Sequence, residues 1–519
     1  MAHYCRPGRR VRRQYSATRL FAFRDYCDST PRVRIVLVPA LFCAPAALVL
    51  VAFDATPLQD PSDGWRANSA FWMRIGVGSA LVASFILLSV SLLIPAIRFS
   101  WRQVAAIAVL TSGGYTASLM LIAELWRFPV PFTFAVGGAP MMAVLGVLVV
   151  YTLGTADKAR LVKYFKYTNA LSLYPVMMVI YPIYSAVFAK LEGGAQLGLV
   201  LLLPWIKYAF KRALVKLYPV EDDLYIAVRS SVDIFDALYM TKCMQSRTSL
   251  TVGLGIIAVD AAQNAVAIWR LEAHSRALLR VQAESRAQHW DVGHLSSAGL
   301  IPWVLRVVSK AKRFDALTFR PDASFTLSAD SKRMLRYMQA RSRPATDAET
   351  PRRAGDALSL VAVAPTPQDA DSGVSGCDQV GKACELALTE ATRLLHLSES
   401  VAVAEYIETV VPLLYAVCVS IVFHLPNAKY YRDMEGMTDE KLRGAVHNIL
   451  IYALMEFLSM VVVHAVLQRR FGVSVFYQLA FALESEWALI QSGFLTWILV
   501  IFQFLLVHNG VDFHFIPGT

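Results

Sequence analysis

The stretch Ile75–Ile97 reads IGVGSALVASFILLSVSLLIPAI and decides the fold class. It contains no charged residue, and it is long enough for a helix to cross a bilayer core of about 30 Å, which takes about 20 residues. Gly76, Ala80 and Ser84 recur every four residues, so one face of this helix is small enough for close contact with another helix. The stretch therefore predicts a transmembrane helix with a packing face.

Apolar runs of similar length occur on both sides of this stretch. They are Ile35–Phe53, Val104–Ala123, Val130–Leu153, Ala170–Ala189, Ala195–Phe210, Thr251–Trp269, Ile407–Leu425, Val446–Leu467 and Phe494–Val507. The chain is 56% hydrophobic and 17% charged, whereas soluble domains are about 45–50% apolar and about 25% charged. We therefore predict an all-α fold, a polytopic transmembrane helix bundle of about 9–10 spans with a long cytosolic insert.

A polar, basic run from Arg270 to Glu399 separates two apolar blocks and must lie on one side of the membrane. Within it, Arg341–Gly376 is rich in Pro, Ser, Asp and Ala, which predicts a disordered linker. The predicted domains are a basic cytosolic tail (1–34), an N-terminal membrane block (35–216), a membrane hairpin or interfacial region (217–270), a basic, partly disordered cytosolic insert (271–400) and a C-terminal membrane block (401–519).

The distribution of basic residues predicts the orientation, because positive charge collects on the cytosolic side. The tail 1–34 is rich in arginine, loops 98–102 and 158–166 are basic, and loops 54–74 and 124–127 are acidic or balanced. This alternation predicts a cytosolic N-terminus in the plasma membrane or an endomembrane. A mitochondrial membrane is the second possibility, because presequences are rich in arginine, although Asp25 and Asp28 count against one.

The net charge of +11 bears on the partners of the protein. Because the basic residues flank apolar runs or lie in the insert, we predict the lipid bilayer as partner and no nucleic acid. The segment 270–353 is predicted to contact anionic lipid or a cytosolic protein, at about 1 kcal/mol per basic residue near the membrane. Orientation alone explains its charge equally well.

Polar residues within the apolar runs concentrate in the second half of the chain. The candidate residues for a polar cavity are Asp260, Asn264, Glu405, Glu408, Asn448, Tyr452, Glu456 and His464. A carboxylate at mid-bilayer costs about 2.5–3.5 kcal/mol, so these side chains should face protein or water. A cavity for an ion or small solute is one interpretation, and hydrogen bonding that fixes the helix packing is the other.

The motif search yields no predicted catalytic, cofactor-binding or metal-binding residue. The stretch Gly253–Ala258 matches G-x-G-x-x-A but lies within an apolar helix rather than after a strand, which excludes a dinucleotide site. The cysteines are scattered and form no CxxC pair. We therefore predict no cofactor, no metal and no enzymatic activity.

Short motifs in the second half resemble a large family of multi-pass membrane proteins of oomycetes. They are Ala237-Leu238-Tyr239, Cys243-Met244-Gln245, Ala404-Glu405-Tyr406-Ile407-Glu408, Val411-Pro412, His424-Leu425-Pro426-Asn427 and Tyr430-Tyr431. The resemblance covers residues 217–510 and implies a membrane architecture. It implies no site residue, because the family has no assigned activity.

Two functional hypotheses follow from these patterns. The first is a transporter- or channel-like protein with a pocket in the second membrane block. The second is a membrane-anchored interaction or scaffold protein that recruits a partner or anionic lipid through its basic insert. An enzyme acting on lipid is a weaker third hypothesis, because the sequence shows no catalytic cluster of His and Asp at the interface.

Overall fold

The computed structural model describes residues 15–94, 96–154, 157–171, 173–191, 194–217, 225–245, 250–287, 299–310, 314, 317, 319, 325–342 and 374–510. These residues are largely helical and contain no strand, and one isolated bridge joins Tyr431 and Leu506. The predicted all-α fold is confirmed.

The helices are numbered in chain order. They are α1 (Ala17–Ser29), α2 (Arg32–Leu41), α3 (Ala44–Ala55), α4 (Ser69–Leu93), α5 (Trp101–Leu125), α6 (Thr133–Leu153), α7 (Lys158–Leu171), α8 (Leu173–Lys190), α9 (Gly194–Leu217), α10 (Tyr225–Gln245), α11 (Leu250–Ala287), α12 (Leu300–Lys310), α13 (Ala329–Arg341), α14 (Val374–Phe423), α15 (Asp439–Phe471), α16 (Val475–Ser485) and α17 (Trp487–Phe504).

Seven helical segments within the described residues are long and apolar enough to cross a membrane. They are Arg32–Ala55, Ser69–Leu93, Trp101–Leu125, Thr133–Leu153, Ala383–Phe423, Asp439–Phe471 and Trp487–Phe504. The chain is therefore a multi-pass membrane protein. The predicted run Ala170–Ala189 begins at the end of α7 and continues in α8, and the runs Ala195–Phe210 and Thr251–Trp269 lie within α9 and α11. These helices are not among the seven, so the total of about 9–10 spans stays a prediction.

The helices differ from the predicted apolar runs at several points. The first run, Ile35–Phe53, is broken between α2 and α3, where Pro39 lies inside one helix and Pro45 is in the first turn of the next. The last run, Phe494–Val507, lies mostly within α17, which begins at Trp487 after a break at Glu486. By contrast, α14 and α11 are much longer than the predicted spans, since helix continues through the polar sequence beside each apolar run.

The chain forms two compact units. The insert unit comprises Met1–Pro31, Val266–Ser400 and Val463–Phe481, and the bundle unit comprises Arg32–Ala265, Val401–Val462 and Ala482–Thr519. The middle segment of the insert unit, Val266–Ser400, nearly coincides with the predicted insert 271–400. The unit also contains the predicted tail and part of the predicted C-terminal block. The predicted linker 341–376 lies almost entirely outside the described residues.

Helix α1 of the insert unit is anchored by side chains rather than extended as a free basic tail. The Arg19 guanidinium donates to Glu399 at 2.6 Å, with both side chains fully buried, and the Tyr15 hydroxyl donates to the same carboxylate. Asp25 accepts from the Ser328 and Ser331 hydroxyls at the start of α13. The first two turns of α1 are buried on all sides, since the seven consecutive residues from Ala17 to Phe23 are all buried.

In the bundle unit, α4 packs on α5 and α5 packs on α6, and α17 contacts α3, α4 and α10. The small face predicted on α4 is part of the first contact. There the Ser112 hydroxyl donates to the Gly76 carbonyl at 2.6 Å, an approach that a larger residue at position 76 would hinder.

Candidate functional site

The predicted cavity residues are placed at several different points. The Asn264 amide donates to the Ser459 hydroxyl at 2.7 Å, so this contact joins two helices of the bundle unit. Glu408 accepts from Lys207 at 2.5 Å. His464 belongs to the insert unit, where its ring lies 4.8 Å from that of Phe476.

The other predicted residues differ in exposure. Glu405, Tyr452 and Glu456 are buried, and Asn448 is exposed. The side chain of Asp260 lies outside the described residues. None of the seven predicted residues with a described side chain lines the large cavity described below.

Glu408 belongs to a buried charge cluster that the sequence analysis missed. The Lys207 ammonium lies 3.4 Å from Asp233, 3.2 Å from Asp236 and 2.5 Å from Glu408. Lys211 also pairs with Asp233. Three helices, α9, α10 and α14, contribute to this cluster.

The charge cluster is well suited to a structural role. The Lys207 ammonium lies where three carboxylates converge, so the cluster supplies its own cation. The sequence contained a signal for it, because Lys207 and Lys211 are four residues apart and Asp233 and Asp236 are three apart, which puts each pair on one helix face. Within the described residues, no group of three His, Cys, Asp or Glu side chains could hold a metal ion.

A second buried network closes one end of the bundle unit. Arg74 on α4 donates to Asp54 on α3 at 3.1 Å, and the Tyr431 hydroxyl donates to the same carboxylate at 2.7 Å. The Asn427 amide donates to the carbonyls of Asp54 and Thr56 at 2.6 and 2.7 Å. Loop 56–68 is thereby joined to loop 424–438.

His508, just after α17, joins the same end of the unit. Its Nε2 lies 2.8 Å from the Gln59 carbonyl oxygen, which fits a ring that donates from Nε2. The ring stacks on Phe71 at 5.4 Å. Burial lowers the pKa of His508 below its usual value, because the charged ring would lose its hydration, so the neutral form is favoured.

The bundle unit contains a large cavity with a volume of about 720 Å³, lined by residues of α3 to α10 and α17. Its lining is mainly aliphatic and aromatic, and Arg74 is the one charged side chain among the described residues that form it. This volume is within the range of about 300–1,000 Å³ that is typical of small-molecule sites. A mainly apolar lining suits a lipophilic molecule.

The cavity is elongated along α4. Its lining on this helix begins at Arg74, includes residues of each successive turn and ends at Leu93, a distance of about 28 Å at about 1.5 Å per residue. An extended hydrocarbon chain matches a mainly apolar cavity of this length.

Sequence patterns could not reveal this cavity, because it is the space left between helices. Part of its width comes from small residues, including Gly138 and Gly146 on α6, which have no neighbouring heavy atom where a side chain would begin.

Comparison of the chain with protein-family models, with curated proteins and with solved structures found no match.

Proposed function

We propose that this multi-pass membrane protein is transporter-like and binds a lipophilic, chain-bearing molecule in the cavity of its bundle unit. The observation that carries the proposal is the elongated, mainly apolar cavity along α4. Its length of about 28 Å is close to the thickness of a bilayer hydrocarbon core, about 30 Å. A molecule that already resides in the membrane would therefore match its lining over the full length.

The same geometry disfavours an ion as the transported species. A charged group without a partner in an apolar environment has a very high desolvation cost. The carboxylate of Glu408 lies in an ion-pair cluster with Lys207, and the Asp54 carboxylate lies in one with Arg74. The sequence suggested an ion or a small solute as the ligand. The proposal excludes the ion and specifies a lipophilic molecule.

Filling the cavity tests the proposal. In Gly138→Leu, a side chain would enter the cavity, since Gly138 lines it and the first added carbon has no heavy atom within 4 Å. The purified protein in lipid nanodiscs would be exposed to a long-chain alkane bearing a photoreactive diazirine, and the crosslinked fraction measured by mass spectrometry. We expect crosslinking to peptides of α4, α6 and α17, with at least a roughly tenfold loss in Gly138→Leu.

The matched control is Gly113→Leu on α5. Gly113 is exposed, has no heavy atom within 4 Å of its added carbon and does not line the cavity. This variant should crosslink as the wild type does. Equal crosslinking of the wild type and Gly138→Leu, or crosslinking confined to lipid-facing residues, would rule out the cavity as the binding site.

A second candidate function is attachment to anionic lipid through α13, and one observation favours it. This helix buries Ser331, Leu335 and Met338 and exposes its basic side chains on the opposite face. The exposed basic residues are Lys332, Arg333, Arg336 and Arg341. A cationic face of this kind attracts anionic headgroups at about 1 kcal/mol per residue.

Replacing Lys332, Arg333 and Arg336 by glutamine tests this attachment. Binding of phosphatidylserine-containing vesicles to the nanodisc-embedded protein should fall and should lose its salt dependence. Unchanged, salt-dependent binding would exclude α13 as the contact.

We also propose that the N-terminus and the insert lie in the cytosol, in the plasma membrane or an endomembrane. The support is the charge distribution of the loops. Membership of the oomycete family of multi-pass proteins is likewise a proposal, and the motifs around Glu405 and Tyr431 support it.

A further inference from the structure

Three buried hydrogen-bond donors at the cavity wall lack a partner among the described residues. One is the Tyr164 hydroxyl on α7, and the other two are Nε of Arg74 and Nε2 of Gln503. Arg74 and Gln503 have exposed fractions of 4% and 7%. Because buried polar groups in proteins are nearly always hydrogen-bonded, the donors of Arg74 and Gln503 point to a ligand that accepts from them.

The two donors lie at the same end of the cavity. Arg74 is in the second turn of α4 and Gln503 is in the last turn of α17. The start of α4 and the end of α17 are in contact, since His508 just beyond α17 stacks on Phe71 in the first turn of α4. The Asn509 amide further fixes this point by donating to the Gln503 carbonyl at 2.5 Å.

The charge at this end is already balanced, which limits the chemistry of the ligand. The Nη1 group of Arg74 donates to Asp54 at 3.1 Å, and Nη2 donates to the Thr56 carbonyl. Nε is the guanidinium nitrogen left without a partner, and the nearby Asp54 carboxylate would repel an additional anion. A neutral oxygen acceptor therefore fits better than a carboxylate or a phosphate.

We propose that the ligand of the cavity is a neutral acyl ester, whose carbonyl oxygen accepts hydrogen bonds from Arg74 Nε and Gln503 Nε2. Its hydrocarbon chain extends along α4 towards Leu93. This inference rests on the proposed function and adds the substrate class and its orientation. The polar head lies at the end closed by the Asp54–Arg74 network, and the chain occupies the apolar remainder.

The test compares two photoreactive probes of equal chain length, a diazirine-bearing fatty-acid methyl ester and the matching diazirine alkane. Wild-type protein in nanodiscs should crosslink the ester about tenfold more than the alkane, as expected for one or two additional hydrogen bonds. In Gln503→Leu this preference should fall to about threefold, because only the hydrogen bond from Arg74 Nε is left, while crosslinking of the alkane stays unchanged. The unchanged alkane signal also shows that the cavity of the variant is intact.

Gln491→Leu is the matched control, since Gln491 is a second buried glutamine of α17 that does not line the cavity. It should keep the full preference for the ester. The free fatty acid, which is charged, should bind less than the ester.

The possible outcomes separate the inference from the proposed function. Equal crosslinking of ester and alkane by the wild type, or a preference that is undiminished in Gln503→Leu, overturns the ester inference and leaves the cavity function standing. Stronger binding of the free acid than of the ester overturns it as well. Failure of both probes to reach the cavity overturns the proposed function itself.

Discussion

The Lys207 ammonium neutralises buried carboxylates contributed by two other helices, so its loss should destabilise the bundle unit. In Lys207→Met, Asp236 and Glu408 would lose the cation that they share. Breaking a buried ion pair by removing one partner costs about 3–5 kcal/mol, because a charge is left uncompensated. We therefore expect a clearly lower midpoint of thermal unfolding in detergent, measured by intrinsic tryptophan fluorescence.

Two further variants separate the loss of charge pairing from the loss of the lysine chain. Lys216→Met removes an exposed lysine from the same helix and should leave the midpoint unchanged. Lys207→Met combined with Glu408→Leu removes a charge of each sign. This double variant should recover part of the decrease in the unfolding midpoint. A midpoint in Lys207→Met equal to that of Lys216→Met would mean that the cluster does not stabilise the fold.

The chemistry of single residues could be predicted from the sequence to a limited extent. Glu408 and Asn264 stand out because they are polar within apolar runs, and both make contacts between helices. Their partners could not be predicted, because Lys207 and Ser459 are 201 and 195 residues away in the chain. Only the packing of the helices decides which polar groups meet.

At the scale of helices, two adjacent glycines of α6 should respond in opposite ways to the same substitution. An alanine carbon at Gly137 would lie 2.5 Å from the ring of Tyr115, whereas the same carbon at Gly138 would meet nothing within 4 Å. Overpacking of this kind costs about 1–3 kcal/mol. Gly138→Ala should be neutral or slightly stabilising, by up to about 1 kcal/mol, because alanine favours helix.

The two alanine variants serve as controls for each other, because they share the helix and the added methyl group. Unfolding in detergent at increasing denaturant would give the two free energies. Similar free energies of unfolding would show that α6 and α5 are not packed as closely as the Gly137–Tyr115 approach requires.

The sequence predicts elements better than it predicts the space between them. Apolar length alone predicted α4, α5 and α6, because a bilayer fixes how many apolar residues a span needs. It marks only the last part of α14, since this helix also includes polar residues that are good helix formers. The cavity could not be predicted, because its walls come from helices far apart in the chain.

For the whole molecule, the hydrogen bonds between loops agree with one arrangement of the membrane-spanning helices. Loop 56–68, loop 424–438 and the segment 505–510 are joined by hydrogen bonds, for example from Asn427 to Thr56 and from His508 to Gln59. Irregular backbone of this kind is unstable in the hydrocarbon core, so the three segments must lie on one side of the membrane. The tail and the insert, which are both predicted in the cytosol, belong to the same compact unit.

Labelling of single cysteines tests this sidedness. In a background without native cysteines, Ser62→Cys and Glu435→Cys should react with a membrane-impermeant maleimide on sealed, right-side-out cells. Arg102→Cys and Lys332→Cys should react only after permeabilisation, because basic loops are retained in the cytosol. All four positions are exposed, so a failure to react reports the membrane barrier rather than burial. If positions 62 and 435 were labelled from opposite sides, the hydrogen-bonded end of the bundle unit could not exist. If instead positions 102 and 332 were labelled from outside and positions 62 and 435 only after permeabilisation, the arrangement of the membrane-spanning helices would be supported. Only the assignment of the basic loops to the cytosol would then be wrong.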